Sequence, residues 1–173
     1  MRDSQRQRLY DAEQQVRRQL ELAAAGARTV RVASSTIVLP LEVRFGALAA
    51  AQRYVDALRS TAAFRRAFPQ AAATPLRLRP RRGDSRAHYE PPDTIAVHQP
   101  EHGSAWSLRE LVVLHETAHH AAHHDLPPEP AHGPGYAGAF AWLVTEAMGG
   151  EVGLLLSTAL AEHRVAMTPI PIP

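Results

Sequence analysis

With 173 residues the chain has the length of one domain, or of one domain with a helical extension. It contains no cysteine, which excludes disulfides, thiolate zinc ribbons and cysteine nucleophiles together. A net charge of +2, with 45% hydrophobic and 21% charged residues, is ordinary for a globular protein. No run reaches the ~18 apolar residues of a membrane span, so imidazoles and carboxylates on a non-spanning chain are the strong metal ligands on offer.

The stretch from Met1 to Arg8 is polar and carries Asp3, unlike a signal peptide, and Asp3, Asp11 and Glu13 argue against a transit peptide. The expected location is the cytoplasm. Residues 3–25 read as a helix: Leu9, Val16, Leu20 and Ala23 recur at helical spacing, and Gly26 supplies a stop. Residues 28–33 alternate polar and apolar like a strand, and Ser34 to Pro40 is a second extended piece or a loop. A helix is expected from Phe45 to Ser60, with Leu48, Ala51, Val55 and Leu58 as its stripe.

From Pro75 to His98 the period changes to two. Leu76 and Leu78 alternate with Arg77 and Arg79, Arg82-Gly83-Asp84-Ser85 signals a turn, and Ser85 to Tyr89 reads as the return strand. After a turn at Pro91-Pro92-Asp93, Thr94 to His98 is the strongest strand of the chain. A small mixed or antiparallel sheet is therefore expected to feed a helix from Ser107 to His124, with Ser107 and Glu110 as its capping box. Its apolar positions are Leu108, Leu111, Val112, Leu114 and Ala118, and Asp125-Leu126-Pro127-Pro128 cannot continue it. Further helices are expected over Tyr136–Met148 and Glu151–His163, before a Pro-rich tail. This suggests an extension over 1–26, a domain over 27–165 and a tail over 166–173.

The chemistry centres on His115-Glu116-Thr117-Ala118-His119. Histidines four apart on a helix project from one face about one turn apart, a spacing that suits two bonds of roughly 2.0–2.1 Å to one zinc ion. Glu116 sits beside the first ligand, where its carboxylate can take a proton from a water activated by the metal. The expected activity is amide-bond hydrolysis on a peptide or protein substrate.

Zinc needs a third protein ligand from downstream. Asp125 lies six residues after His119, the metzincin position, although Ala122 stands where those sites use Gly. Glu146 lies 27 residues on, in gluzincin style. His123 is too far from His115 to close the site. His132, followed by Gly133 just before a helix, is the preferred third ligand, with Glu146 and Asp125 as alternatives.

The run Leu114-His115-Glu116-Thr117-Ala118-His119-His120, followed by His132-Gly133-Pro134 and an aromatic-bearing helix, resembles a family of uncharacterised bacterial metallohydrolases. That likeness extends through Phe45-Gly46 and Tyr54-Val55-Asp56, over about residues 28–165. More distantly, residues 107–145 are similar to SprT-like metalloproteases. The resemblance implies a zincin-like α+β fold, with a small sheet packed on the HExxH helix. It also implies His115, His119 and His132 as zinc ligands and Glu116 as base. The Cys-rich ribbon that often accompanies SprT-like proteins is missing, which weakens any inherited DNA-repair role.

Other residues have weaker claims. Tyr136, one turn past His132, can donate to an oxyanion or simply pack in the core; His98 and Arg164 are further oxyanion candidates. His120, His123 and His124 form either an auxiliary metal trap or a polar helix end. Trp106 and Trp142 read as core or cleft wall. Thr94–His98 can be a sheet edge that receives an extended peptide. All basic side chains are Arg, and Arg65, Arg66, Arg77, Arg79, Arg81, Arg82 and Arg86 cluster. A second reading stays open: a non-catalytic protein, either a metal-binding regulator or an Arg-rich nucleic-acid-associated module with a structural zinc. Nothing in the sequence fixes the oligomeric state.

Overall fold

A computed structural model describes residues 3–81, 87–98 and 108–171, and within them the protein is α+β. It divides into two compact units, residues 1–42 with 128–170, and residues 43–127. No helix among the described residues is long and apolar enough to cross a membrane.

The first unit contains α1 (Arg6–Ala24), the strands β1 (Thr29–Val32) and β2 (Ser35–Val38), and two later helices of the chain. Leu9, Ala12, Val16, Leu20 and Ala23 of α1 are buried at spacings of three and four, the stripe that its sequence prescribes. Gly26 follows with φ +102°, a left-handed turn that ends the helix cheaply only with glycine. β1 and β2 pair antiparallel from Thr29↔Val38 to Val32↔Ser35, so the second extended piece is a strand. The two C-terminal helices, Pro134–Met148 and Gly150–Glu162, belong to this unit, and the second of them packs on α1. Thus α1 is built into the core of this unit. After the last helix the chain is tied down: Val165 is buried, the Ala166 amide donates to Gln5 Oε1 and the Thr168 amide to the Pro134 carbonyl.

The second unit begins with α2 (Leu48–Ser60) and two short helices, α3 (Ala62–Ala67) and α4 (Pro69–Ala73). The short pair went unread in the sequence because neither is long enough to show a period. Thr61 starts α3 by accepting the Phe64 amide at 3.1 Å, and Phe64 and Phe68 pack with ring centroids 5.3 Å apart.

The sheet comprises β3 (Arg77–Arg81), β4 (His88–Glu90) and β5 (Thr94–His98) in the order β3-β5-β4. β3 is parallel to β5 and β4 antiparallel to it, so the sheet is mixed. Two expectations change here. The strand at residues 88–90 does not return along β3; it pairs with β5 through the Pro91–Asp93 turn. And β5 is the central strand, so it cannot be the edge that receives a peptide. The reason is compositional: Ile95, Ala96 and Val97 are all fully buried, as a strand covered on both faces requires. The Arg-bearing β3 stays at an edge. The 82–85 turn lies outside the described residues.

The remaining helix of this unit is α5 (Glu110–Asp125), and the two C-terminal helices of the first unit are α6 (Pro134–Met148) and α7 (Gly150–Glu162). Phe45, Val55, Leu76, Ile95, Val97, Leu108 and Val113 form the core under α5. Every residue of α5 from Glu110 to Ala118 is buried, so it is a core helix rather than an amphipathic surface one. Ser107, the expected cap, lies outside the described residues, and the Glu110 carboxylate accepts the Val43 amide at 3.0 Å and the Tyr54 hydroxyl at 2.6 Å. Burial and the neighbouring Glu110 carboxylate push the Tyr54 hydroxyl far above its ordinary pKa, keeping it a donor.

Candidate metal centre

The first half of the site comes from helix geometry. Leu111, Val112, Val113 and Leu114 anchor the N-terminal half of α5 in the core, and Thr117 Oγ1 donates back to the Val113 carbonyl at 2.8 Å. One turn separates His115 from His119, whose ring centroids are 5.1 Å apart and inclined by 70°. Glu116 is buried beside them. From the edge strand β4, the Tyr89 ring lies parallel to His119 at 6.4 Å. Burial and nearby Asp93 push the Tyr89 hydroxyl up to about 12, and it donates to the Pro92 carbonyl.

The neighbouring histidines are spent on the backbone. His120 Nε2 lies 3.0 Å from the Ala71 carbonyl and His124 Nε2 lies 2.8 Å from the Pro92 carbonyl. Opposite a carbonyl a ring nitrogen can only donate. Burial lowers His120 to about 4, so its imidazole is neutral at physiological pH. His123 is exposed at the helix end and is lowered by burial and then by His124. These contacts give His120 and His124 structural work.

His132 is held differently. It occupies the turn ahead of α6, where the Gly133 amide donates to the Pro130 carbonyl at 2.8 Å. Glu129 folds over the start of α6, its Oε1 accepting the Tyr136 amide at 2.8 Å, in the position that favours an anion. A Cβ on residue 133 would lie 2.5 Å from the Glu129 Cδ, so a side chain there would have to displace the Glu129 carboxylate. The His132 ring is buried between Tyr10 and Tyr136, both edge-on with centroids 5.2 and 5.1 Å away. Its Nδ1 is 2.7 Å from Asp3 Oδ2, and its carbonyl accepts Gln5 Nε2 at 2.8 Å. With Nδ1–H on a carboxylate, the tautomer puts the lone pair on Nε2, the form a metal ligand needs.

His115, His119 and His132 each offer a nitrogen, and these nitrogens lie within 4.8 Å of one another. Among the described residues this is the only group of three or more His, Cys, Asp or Glu placed to share an ion. Tetrahedral bonds of 2.0–2.1 Å set ligand nitrogens about 3.3 Å apart. The donor set fits zinc: three imidazoles, one already oriented by a carboxylate.

The alternatives for the third position are placed elsewhere. Asp125 accepts the Gln70 amide with Oδ1 at 2.9 Å and the Ala71 amide with Oδ2 at 2.8 Å, so it caps α4. Glu146 is exposed on α6. Tyr136 is fully buried, its ring stacked 6.2 Å from Phe140 as well as against His132. His98 ends β5, Arg164 is exposed after α7 with its carbonyl accepting from Arg8, and Trp142 is half-buried on α6. Trp106 lies outside the described residues, as do Arg82 and Arg86. Of the other arginines, Arg79 reaches across β5 to Glu90 at 2.5 Å and Arg81 Nη1 lies 2.8 Å from His88 Nδ1, while Arg65, Arg66 and Arg77 are exposed.

Sequence reasoning missed Asp3, Gln5 and Glu129. Only Glu129, three residues before His132, left a local trace. Asp3 and Gln5 act across separations of 129 and 127 residues. No protein-family model matches the chain, and no curated protein or solved structure is significantly similar to it.

Proposed function

We propose that the protein is a zinc-dependent hydrolase, a metallopeptidase in class, with a zincin-like arrangement of helix and sheet. His115, His119 and His132 hold the ion and Glu116 is the general base. The observation that carries this reading is the grouping of three imidazole nitrogens within 4.8 Å, two of them on the helix turn that also bears Glu116. Zinc bound there would supply Lewis acidity, polarising a scissile carbonyl and bringing the pKa of water towards ~7. Glu116 takes the proton from the attacking water and returns it to the departing amine, so a single carboxylate serves as base and then acid.

The substrate in this reading is a peptide or protein. Among the described strands, the sheet edges at which an extended segment can add are β3 and β4, and β4 is the strand that packs beside α5 and brings Tyr89 to His119.

The non-catalytic reading gains less support. A closed structural zinc site needs a fourth protein ligand, and Asp125, six residues after His119, has both oxygens on α4 amides. A nucleic-acid surface on the sheet would use Arg79 and Arg81, which already face Glu90 and His88.

The test is Glu116→Gln assayed on a mixed peptide library. Zinc content should remain at the wild-type ratio while turnover falls by ~10²–10⁴-fold, the usual worth of a positioned base. Unchanged turnover would remove Glu116 from the chemistry.

A further inference from the structure

We propose that Asp3, in the segment preceding α1, is the positioning residue for the third ligand: its carboxylate sets the tautomer and ring angle of His132 for the ion. The inference rests on the metal-centre reading above and adds a residue that no local motif announces.

Three observations carry it. First, Asp3 Oδ2 lies 2.7 Å from His132 Nδ1, a distance typical of a charge-assisted bond. A carboxylate there accepts the Nδ1 proton, directs the lone pair to Nε2 and makes that nitrogen a stronger electron donor. Second, the bond is a poor stabiliser of the fold on its own. The other oxygen, Oδ1, is buried and accepts no hydrogen bond among the described residues, which costs energy for a charged group. A residue kept for packing alone would be served better by an apolar side chain. Third, the same short segment grips the ligand's backbone. Gln5 Nε2 donates to the His132 carbonyl at 2.8 Å and to the Ala166 carbonyl at 3.1 Å, while Gln5 Oε1 accepts the Ala166 amide at 3.0 Å. Gln5 itself is buried. The main chain of His132 is held by Gln5, and Asp3 restrains what that leaves open, the rotation of the ring about its own side-chain bonds.

A histidine on a helix does not need this help, because backbone periodicity aims it. His132 sits on a turn, and its aim has to come from side chains. Tyr10 and Tyr136 wall the ring on its flanks, but neither ring can select a tautomer. The Asp3 carboxylate does that.

The experiment measures zinc affinity by competition with a chromophoric chelator, and the visible spectrum of the cobalt(II) form, for the full chain and its variants. Asp3→Asn preserves shape but not charge. It should weaken zinc binding by 10–100-fold, the usual effect of losing a ligand's carboxylate partner, and alter the cobalt bands, while the metal-free protein melts as before. Asp3→Glu should recover most of the affinity. Gln15→Ala breaks the bond from α1 to Glu162 without touching His132 and should bind zinc like wild type. Wild-type affinity and spectrum in Asp3→Asn would overturn the proposal. So would a loss matched by an equal fall in the melting temperature of the metal-free form and not recovered by Asp3→Glu. A wild-type chain that takes up no zinc would overturn the metal-centre reading itself, and this inference with it.

Discussion

Helix α5 and the turn ahead of α6 present histidines by opposite means. On α5 the aim of His115 and His119 is a property of the backbone: 3.6 residues per turn put positions four apart on one face, and a buried hydrophobic run keeps the helix in place. At the turn, no regular backbone aims His132. Its direction is assembled from Asp3 on the ring, Gln5 on the carbonyl, Glu129 over the following helix start and two tyrosine edges. A ligand on a helix is thus specified within five residues of sequence, whereas a ligand on a turn needs partners from far along the chain. The same contrast separates His119 from its neighbour His120. One residue's rotation round α5 turns an imidazole from the group that can share an ion to a carbonyl of α4.

Removing ligands tests the comparison most severely. His119→Ala and His132→Ala should each weaken zinc binding by more than about 100-fold, beyond the loss expected from any outer partner, as read by chelator competition. If His132→Ala binds like wild type, the turn is not part of the site and α5 acts alone. Asp125→Ala probes the helix end with a smaller effect. Loss of the cap on α4 should cost about 1 kcal/mol of stability, visible as a lower denaturant midpoint, with zinc stoichiometry intact. Lost zinc in that variant would make Asp125 a ligand after all. Tyr136→Phe should change least. Its buried ring stacks on Phe140 and His132, and keeping the ring should hold kcat well short of the ~10²–10³-fold fall that follows loss of an oxyanion donor. A fall of that size would give the hydroxyl a direct part in the chemistry.

Much of the helical framework was legible from pattern. The stripes of α1 and α2, the stop at Gly26, the proline-bounded end of α5 and the break at Gly149 all express local preferences that the fold keeps. What was not legible depended on competition between segments. Residues 88–90 could have paired with β3 or with β5, and the choice went to β5 because only its run of Ile95, Ala96 and Val97 tolerates burial on both faces. Glu110 accepts the Val43 amide and the Tyr54 hydroxyl, partners 67 and 56 residues away that no local spacing announces. Asp125 carried a plausible ligand spacing, but two unsatisfied amides at the start of α4 claimed it instead.

Sequence by itself determined the helix that bears His115, Glu116 and His119, because an i, i+4 pair needs nothing beyond backbone period and a buried stripe. It also marked His132, as a histidine followed by glycine just before a helix. Tertiary structure decided which carboxylates serve the amides of helices and which serves an imidazole. Hydrogen-bonding groups far apart in sequence compete for partners only after the chain has brought them within 3 Å, and no spacing rule records the outcome.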